Sequence, residues 1–321
     1  MVAVDIGGTH ARFALATIDD RQKTSIGPEV TFKTAEFGSF VSAWQAFARR
    51  VGRTLPDAAA IAIASPVEGT FLKLTNCPWV IRRDSIAADL GIAEVSLVND
   101  FGAVAHAIAA LDDKHFGHLC GPQGPLRRRG AISVVGPGTG LGVAQLLLST
   151  DGNYEVVESE GGHIDFAAID TIDDAILLAL RQRFGRVSVE RLASGPGLIN
   201  IYETLARLEG RETPTLTMPE LWAKAIGGND LHATLALDRF CLCLGGIAGD
   251  IALVHGAGAV IIGGGLGLRL AELLPLSGFE ARFTAKGRFA PRMASIPVKI
   301  ITYRQPGLLG AAVAFARGDR V

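Results

Sequence analysis

Asp5-Ile6-Gly7-Gly8-Thr9 follows one strand-like run and leads directly into another, and Gly136-Pro137-Gly138-Thr139-Gly140-Leu141-Gly142 does the same in mid-chain. Glycine lets backbone N–H groups approach an anion closely, and a threonine hydroxyl adds one more donor. A single hairpin of this kind is often only a tight turn. Two of them in the same context predict a pair of phosphate-binding loops. The residues after Thr9 alternate like a strand instead of opening a helix, which excludes a Rossmann or Walker loop.

The chain has 321 residues, which favours two domains, because a single hydrophobic core usually stops growing at roughly 250–300 residues. Apolar runs around the first loop predict strands at residues 2–5, 11–17, 30–34, 58–64, 71–75 and 94–98, with helices at 40–51 and 101–111. The α/β alternation predicts a mixed sheet covered by helices.

The second half of the chain begins with a strand at 131–135 and is richer in helical periodicity. Helices are predicted at 172–184, 197–208, 219–226, 231–253 and 306–317, and strands at 164–166, 259–262 and 298–302. The last strand and the last helix resemble elements that return to the first domain. We therefore predict a smaller domain of residues 1–110 plus 301–321 and a larger domain of residues 111–300, with an interdomain cleft.

Charge and composition limit the kinds of molecule that this protein is expected to bind. The formal net charge is −1 and the longest basic cluster is Arg127-Arg128-Arg129, so electrostatics give no support for a nucleic-acid partner. We find no signal-peptide pattern and no uninterrupted apolar run of membrane-spanning length, so we expect a cytoplasmic protein without membrane contact. The four cysteines show neither a disulfide framework nor the spacing of a metal site.

Asn99-Asp100 follows a buried-type strand and precedes an alanine-rich helix. Strand ends of this kind line the ligand crevice of open α/β sheets. A carboxylate there can accept a hydroxyl proton while the neighbouring amide fixes the same ligand. The alternative is that the pair simply caps the helix, and the two roles are compatible.

Glu160-Gly161-Gly162-His163 places an acid and an imidazole around two glycines, which suits the recognition of sugar hydroxyls. A polar surface hairpin is the alternative. Zinc binding by His163 is a weaker hypothesis, because no histidine or cysteine lies close in sequence. Glu190 precedes Ser194-Gly195-Pro196-Gly197, whose glycines suit a helix start or a close approach to a ligand. Taken alone, Glu190 would be interpreted as a surface charge.

Together the two loops resemble the phosphate segments of the actin-like ATPase superfamily, which has a ribonuclease H-like α/β fold in two domains. The resemblance implies that Asp5 supports Mg²⁺ through water and that Gly263-Gly264-Gly265 forms the adenosine segment. It also implies contacts to the nucleotide from the following residues: Asp5, Gly7, Gly8, Thr9, Gly138, Thr139, Gly140, Gly264 and Gly265.

Along nearly its whole length the chain is similar to bacterial glucokinases of the hexokinase group. The matching segments are D-I-G-G-T-x-A-R-F-A from Asp5, L-T-N-x-P-W from Leu74, N-D-F from Asn99, G-P-G-T-G-L-G-V-A from Gly136, E-G-G-H-I-D-F from Glu160, S-G-P-G-L from Ser194, K-G-R-F from Lys286 and P-G-L-L-G-A-A from Pro306. The resemblance implies that Asn99, Asp100, Glu160, His163 and Glu190 hold glucose hydroxyls, that Asp100 is the catalytic base, and that the protein is a homodimer.

The function implied is Mg²⁺-ATP-dependent phosphorylation of glucose at its 6-hydroxyl, with a kinase for another hexose as the alternative. An actin-like nucleotide-binding protein and a silent sugar sensor are further alternatives, and the polar set around Asp100 argues against both. His10 stands where many relatives carry asparagine, and we interpret it as a satisfied turn residue. Lys286 and Arg288 are interpreted as a solvated loop rather than a phosphate contact. The chain lacks the cysteine-rich zinc signature of the related repressor and kinase branch.

Overall fold

A computed structural model describes residues 1–74, 77–126, 129–212 and 215–318. Thr75 and Asn76 of the motif that starts at Leu74, and Arg127 and Arg128 of the basic cluster, lie outside the described residues. The chain forms two compact units. The first comprises Met1–Asp112, Val156–Glu158 and the residues from Tyr303 onward, and the second comprises Asp113–Glu155 and Ser159–Thr302. The domain limits at residues 110 and 301 stay a prediction.

The strands are, in chain order, β1 (Val2–Ile6), β2 (His10–Ile18), β3 (Thr24–Ile26), β4 (Val30–Lys33), β5 (Ala58–Ile63), β6 (Phe71–Lys73), β7 (Val80–Arg82), β8 (Glu94–Asn99), β9 (Phe116–Cys120), β10 (Gly130–Pro137), β11 (Leu141–Leu148), β12 (Tyr154–Ser159), β13 (Ala259–Ile262) and β14 (Val298–Ile301). The α-helices are α1 (Phe40–Val51), α2 (Ile86–Leu90), α3 (Asp100–Ala110), α4 (Thr171–Phe184), α5 (Gly195–Leu208), α6 (Met218–Gly227), α7 (Leu231–Val254), α8 (Gly264–Arg269), α9 (Phe279–Thr284), α10 (Ala290–Ala294) and α11 (Pro306–Arg317).

The sheet of the first unit has the order β3-β2-β1-β5-β8, with β4 also paired to β2. The predicted hairpin is present: β1 runs antiparallel to β2, and Ile6 pairs with Ala11 across the glycine turn. Next to the hairpin, β1, β5 and β8 are parallel. The carboxyl ends of β1 and β8 therefore lie at the same edge of the sheet, where the chain carries Asp5 and Asn99.

Alternation along β1 sends its side chains to two hydrophobic layers. Val2, Val4 and Ile6 face the layer that contains Phe40 and Phe47 of α1. Ala3 faces the opposite layer with residues of α11. Helices α3 and α11 approach closely there, since a Cβ at Gly310 would lie 1.6 Å from the Ala103 carbonyl oxygen. Small residues on this face let both helices lie near the sheet.

The second sheet has the order β12-β11-β10-β13-β14-β9 and belongs to the second unit, except for residues Val156–Glu158 of its edge strand β12, which are grouped with the first unit. Strands β10 and β11 form the second predicted hairpin, in which Pro137 pairs with Leu141. Parallel strands β13 and β14 follow. The prediction that the last strand returns to the first domain is wrong, because β14 completes this second sheet by pairing with β13 and β9. The last helix, α11, does lie in the first unit.

Helix α7 is the centre of the second unit and packs against α5, α6 and α9. It begins at an aspartate cap, where the Asp230 side chain accepts the Ala233 N–H. A Cβ at Gly245 would lie 2.2 Å from the Phe279 carbonyl oxygen, so this glycine permits the close approach of α9. In the described part of the chain, no helix is long and apolar enough to span a membrane.

The predicted strand at residues 164–166 is absent. In its place Asp165 forms an isolated antiparallel bridge with Ser188. Around the bridge, Phe166 N–H donates to Val187 O at 3.0 Å and Val189 N–H donates to Ile164 O at 2.9 Å. The segment that follows His163 is thus fastened to the segment that precedes Glu190.

Candidate active site

The first glycine hairpin is held by bonds from its own strands and from one distant threonine. Gly7 N–H donates to His10 O at 2.9 Å and closes the turn. Buried Thr34 donates twice, from its hydroxyl to Gly8 O and from its N–H to Thr9 O, both at 3.0 Å. Two carbonyl oxygens of the loop are therefore satisfied from within the protein, and the Thr9 side chain is exposed. His10 Nδ1 lies 3.0 Å from Thr9 Oγ1, which supports our interpretation of a satisfied turn histidine.

Asp5 lies at the end of β1, beside this loop, and its side chain is 20% exposed. Its Oδ2 accepts a hydrogen bond from Arg12 Nη1 at 3.2 Å. The start of α11 lies against it as well, since a Cβ at Gly307 would be 2.8 Å from Asp5 Cγ. Burial raises the pKa of Asp5, and the charge and hydrogen bond of Arg12 oppose that shift.

Asn99 caps α3, as the structural alternative predicted. Its Oδ1 accepts from Phe101 N–H at 2.8 Å and from Gly102 N–H at 3.2 Å, and its Nδ2 donates to Ser65 O at 3.3 Å. Asp100 is the first residue of the helix, half-buried, and its Oδ1 also lies 2.9 Å from Phe101 N. These bonds set the position of Asp100 at the end of β8.

Glu158 was not singled out by the sequence analysis, but it contacts the same helix start. Its Oε1 accepts the Asn99 N–H at 2.9 Å, within the first unit. A Cβ at Gly102 would lie 2.3 Å from that oxygen, so a larger residue in the first turn of α3 would displace the Glu158 carboxylate. The carboxylate therefore lies at the positive end of the helix dipole, against the backbone N–H of the residue that precedes Asp100.

The second glycine hairpin is braced from a later segment. Gly138 N–H donates to Gly140 O at 2.8 Å inside the loop, and Gly195 N–H donates to Gly138 O at 2.7 Å from the start of α5. Glu190 Oε2 accepts the N–H of Leu141 at 3.0 Å. Glu190 is thus half-buried against a glycine loop, and the interpretation of a plain surface charge is wrong.

The third glycine segment meets the same loop. Gly263 caps α8, and its N–H donates to Val135 O at 2.9 Å. Gly264 has a φ of +76°, and a Cβ there would lie 2.6 Å from the Pro137 carbonyl oxygen. Glycine is required at 264 both by its conformation and by this approach. Gly264 is partly buried and Gly265 is exposed.

His163 ends a 3-10 turn, Gly161–His163, that packs on β11, and Glu160 directly precedes this turn. Their side chains are 60% and 58% exposed, and His163 Nε2 lies 3.9 Å from Glu160 Oε2. Arg186, which the sequence did not suggest, donates to His163 O at 2.6 Å and pairs with Asp165 at 2.6 Å. The side chains of Glu160 and His163 are therefore open to a ligand, while Arg186 helps to fix the backbone at His163.

Each unit thus groups part of the predicted site. The first groups Asp5, Gly7, Gly8, Thr9, Asn99 and Asp100 at one sheet edge, and the second groups Gly138, Thr139, Gly140, Glu160, His163, Glu190, Gly264 and Gly265 around the second hairpin. Within the described residues, no group of three or more histidine, cysteine or acidic side chains is arranged to hold a metal ion.

Lys286 differs from its sequence-based interpretation. Its side chain is 7% exposed, pairs with Asp250 at 2.6 Å and donates to Gly246 O at 2.8 Å. The amine ties the loop to α7 and is not solvated. Arg288 is exposed and lies over the Phe289 ring at 5.1 Å.

Comparison with known proteins bears on both the fold and the family. The family model described as Glucokinase matches residues 2–318. A glucokinase of Zymomonas mobilis is 57% identical over 316 residues, which cover 98% of this chain and 97% of that protein. The crystal structure of a glucokinase from an Antarctic psychrotroph superposes with a TM-score of 0.82 at 34% identity, covering 98% of both chains.

A ROK family glucokinase of Streptomyces griseus, solved with glucose and AMPPNP, is similar in fold, with a TM-score of 0.66, 19% identity and 99% of both chains covered. The α/β fold predicted from the two hairpins, that of the two-domain actin-like ATPases, is therefore confirmed. The match of the family model to nearly the whole chain and the 57% identity to a curated relative show that this chain belongs to the glucokinase family.

Proposed function

We propose that this protein transfers the γ-phosphoryl group of ATP to the 6-hydroxyl of D-glucose. The observation that carries the reaction is the family match over residues 2–318, together with 57% identity to a glucokinase. The two braced glycine hairpins support the same reaction, because glycine loops of this kind present backbone N–H groups to phosphate.

We assign the role of general base to Asp100. Its position at the end of β8 is set by the capping bonds of Asn99 to the first turn of α3. A carboxylate positioned in this way accepts the proton of the sugar hydroxyl as the oxygen attacks phosphorus. Such a base contributes about 10²–10⁴-fold to the rate.

Recognition of the sugar is assigned to Asn99, Asp100, Glu160, His163 and Glu190. Carboxylate and amide oxygens accept from hydroxyls, and the imidazole can donate or accept. Each buried partner that an epimer leaves unsatisfied costs roughly 1–3 kcal/mol, which favours glucose over other hexoses.

The nucleotide is assigned to the glycine segments, with the hydroxyls of Thr9 and Thr139 as further donors. Because the transition state of phosphoryl transfer is loose, these groups act by positioning and by neutralising charge. Gly264 and Gly265 form the adenosine segment, next to the second hairpin.

The residues present fit Mg²⁺. Asp5 supplies one partly exposed carboxylate beside the first hairpin, and Mg²⁺ in kinases is usually held by one or two carboxylates, phosphate oxygens and water. When bound, this ion supplies charge neutralisation at the transferring phosphate, and Asp5 would hold it through water. Arg12 orients the Asp5 carboxylate through its hydrogen bond.

The test is identification of the product after incubation with Mg²⁺-ATP and a mixture of hexoses, for wild type and for Asp100→Asn. We expect glucose 6-phosphate from wild type, and a turnover lower by about 10²–10⁴-fold in the variant, with glucose binding retained at least in part. Asp20→Asn, in an exposed turn of the same unit, is the control and should turn over normally.

Near-normal turnover of Asp100→Asn would exclude it as the base. Phosphorylation of a hexose other than glucose as the main product would replace the substrate assignment, and ATP hydrolysis that needs no sugar would point to an actin-like nucleotide-binding protein. The homodimer implied by the sequence resemblance is checked by light scattering, and the cytoplasmic location by fractionation.

A further inference from the structure

Two segments of the second unit meet Leu141 at the exit of the second glycine loop, and a third segment meets Gly138 within the loop. Its N–H is taken by Glu190 Oε2 at 3.0 Å. Its carbonyl oxygen lies against the 160–163 turn, since a Cβ at Gly162 would come within 2.1 Å of it. Three residues earlier in the loop, Gly138 O accepts from Gly195 N–H at 2.7 Å. The loop that faces phosphate is therefore supported by the segments that carry the sugar-binding side chains.

Glu190 is the most direct of these supports. Its carboxylate lies so close to the loop that a Cβ at Gly140 would be 2.3 Å from Oε2. A carboxylate has two oxygens and about four acceptor positions, so the bond to Leu141 leaves Oε1 free to accept from a second donor. A hydrogen bond to a charged acceptor is stronger than one between neutral groups, so this contact can fix a loop that is rich in glycine.

The segment that carries Glu190 is itself held in place. Val189 N–H donates to Ile164 O at 2.9 Å, and Arg191 N–H donates to Ser188 O at 3.0 Å. The Arg191 guanidinium lies over the Phe184 ring at 4.1 Å. Because the backbone around Glu190 is held, a shift of the Glu190 carboxylate should move the glycine loop and not the backbone of residues 188–191.

We propose that Glu190 is a positioning residue for the second glycine loop, through which a bound sugar orders that loop for the nucleotide. The inference rests on the proposed function, because it needs sugar at Oε1 and nucleotide phosphate at the loop. A hydroxyl that donates to Oε1 restrains the carboxylate, and the restrained carboxylate holds Leu141 and the loop before it. Sugar and nucleotide then strengthen each other's binding by the same factor, as linkage requires.

The experiment measures the dissociation constant of Mg²⁺-AMPPNP by calorimetry with and without saturating glucose, and that of glucose with and without Mg²⁺-AMPPNP. For wild type we expect a coupling factor of at least about fivefold, equal in both directions. In Glu190→Ala the factor should fall to near one. Glu190→Gln keeps a carbonyl oxygen for the Leu141 N–H but places an N–H donor where Oε1 would accept from the sugar, so its glucose affinity should fall and its coupling factor should lie between those of Glu190→Ala and wild type.

Gly140→Ala tests the same contact without altering Glu190. The φ of Gly140 lies outside the left-handed range, so alanine meets only the Glu190 carboxylate and displaces it. The coupling factor should fall in this variant as well. Glu155→Gln, which removes an exposed carboxylate of the same unit, is the control and should couple like wild type. If Glu190→Ala does not fold, Gly140→Ala gives the decisive measurement.

A purely structural role for Glu190 would lower the melting temperature and weaken both ligands without changing the coupling factor. A factor near one in wild type, or an unchanged factor in Glu190→Ala or Gly140→Ala, would overturn the proposal while wild type still forms glucose 6-phosphate. Failure of wild type to form that product overturns the proposed function, and the coupling with it.

Discussion

Asp173→Asn should destabilise the second unit strongly, although the residue lies outside the proposed site. Asp173 is in the first turn of α4, and its side chain is 1% exposed. Its two oxygens accept from Arg239 Nη1 at 3.0 Å and from Arg282 Nη1 at 2.9 Å. Asp170, the cap of α4, accepts from the same two arginines. The cluster joins α4 to α7 and α9.

The size of the effect follows from the charges that the substitution leaves behind. Both arginine side chains are about nine-tenths buried, at 10% and 11% exposure. With asparagine at 173, two buried guanidiniums share the single carboxylate of Asp170, and the new amide N–H groups face donors. Breaking a buried ion pair by removing one partner costs about 3–5 kcal/mol. For a domain of about 150–250 residues this lowers the melting temperature by about 6–20 °C.

The measurement is a thermal melt of wild type, Asp173→Asn and Asp174→Asn. Asp174 is the matched control, because it is the next residue of the same helical turn and is exposed. Its substitution should change stability by less than about 0.5 kcal/mol. Melting temperatures of the two variants that agree within error would refute the reasoning, since they would mean that burial and pairing of Asp173 add nothing.

Two further predictions concern acid stability and helical glycines. Burial opposes the ionised form of Asp170, but the hydrogen bond and charge of Arg239 and the charge of Arg282 outweigh it and lower the pKa of Asp170. The stability that ionised Asp170 adds is therefore present above the unfolded pKa of about 3.9 and is lost as pH falls through the folded pKa. The melting temperature of Asp170→Asn should therefore change less with pH below about pH 4 than that of wild type. Gly310→Ala should lower the free energy of unfolding by about 1–3 kcal/mol or more, because its Cβ would meet the Ala103 carbonyl oxygen at 1.6 Å. Gly246→Ala, whose nearest contact would be at 3.7 Å, should raise that free energy by about 0.5–1 kcal/mol. Denaturant midpoints that move in the same direction for both variants would contradict this pair of predictions.

The local sequence pattern was sufficient to predict an element whose apolar periodicity and end signals all lie within that element. Helices α1 and α11 have the predicted limits, 40–51 and 306–317, because apolar periodicity and flanking breakers act within a few residues. Both glycine hairpins were predicted because the turn and its two strands are contiguous in sequence. The fold class was implied by the resemblance of the two loops to the phosphate segments of the actin-like ATPases.

Partner choice between distant segments was not predictable in this way. An apolar strand at 298–301 suits either sheet, and its place beside β13 depends on pairing that no local pattern encodes. The 164–166 segment has the composition of a strand, but it meets only a short segment around Ser188 and stops at a single bridge. Lys286 was interpreted as solvated because its partner, Asp250, is a helix residue 36 positions earlier.

The hydrogen-bond donors that hold the two glycine loops could not be predicted from the repeated loop sequence. In the first loop, Thr34 donates to the carbonyls of Gly8 and Thr9. In the second, Gly195 N–H donates to the Gly138 carbonyl. The donor residues and their spacings differ between the two loops. The requirement is the same, because a carbonyl oxygen directed at phosphate would repel it. The loop carbonyl oxygens therefore need hydrogen-bond donors inside the protein. The sequence repeats the turn itself, whereas each unit provides those donors from residues that only its own tertiary structure brings close.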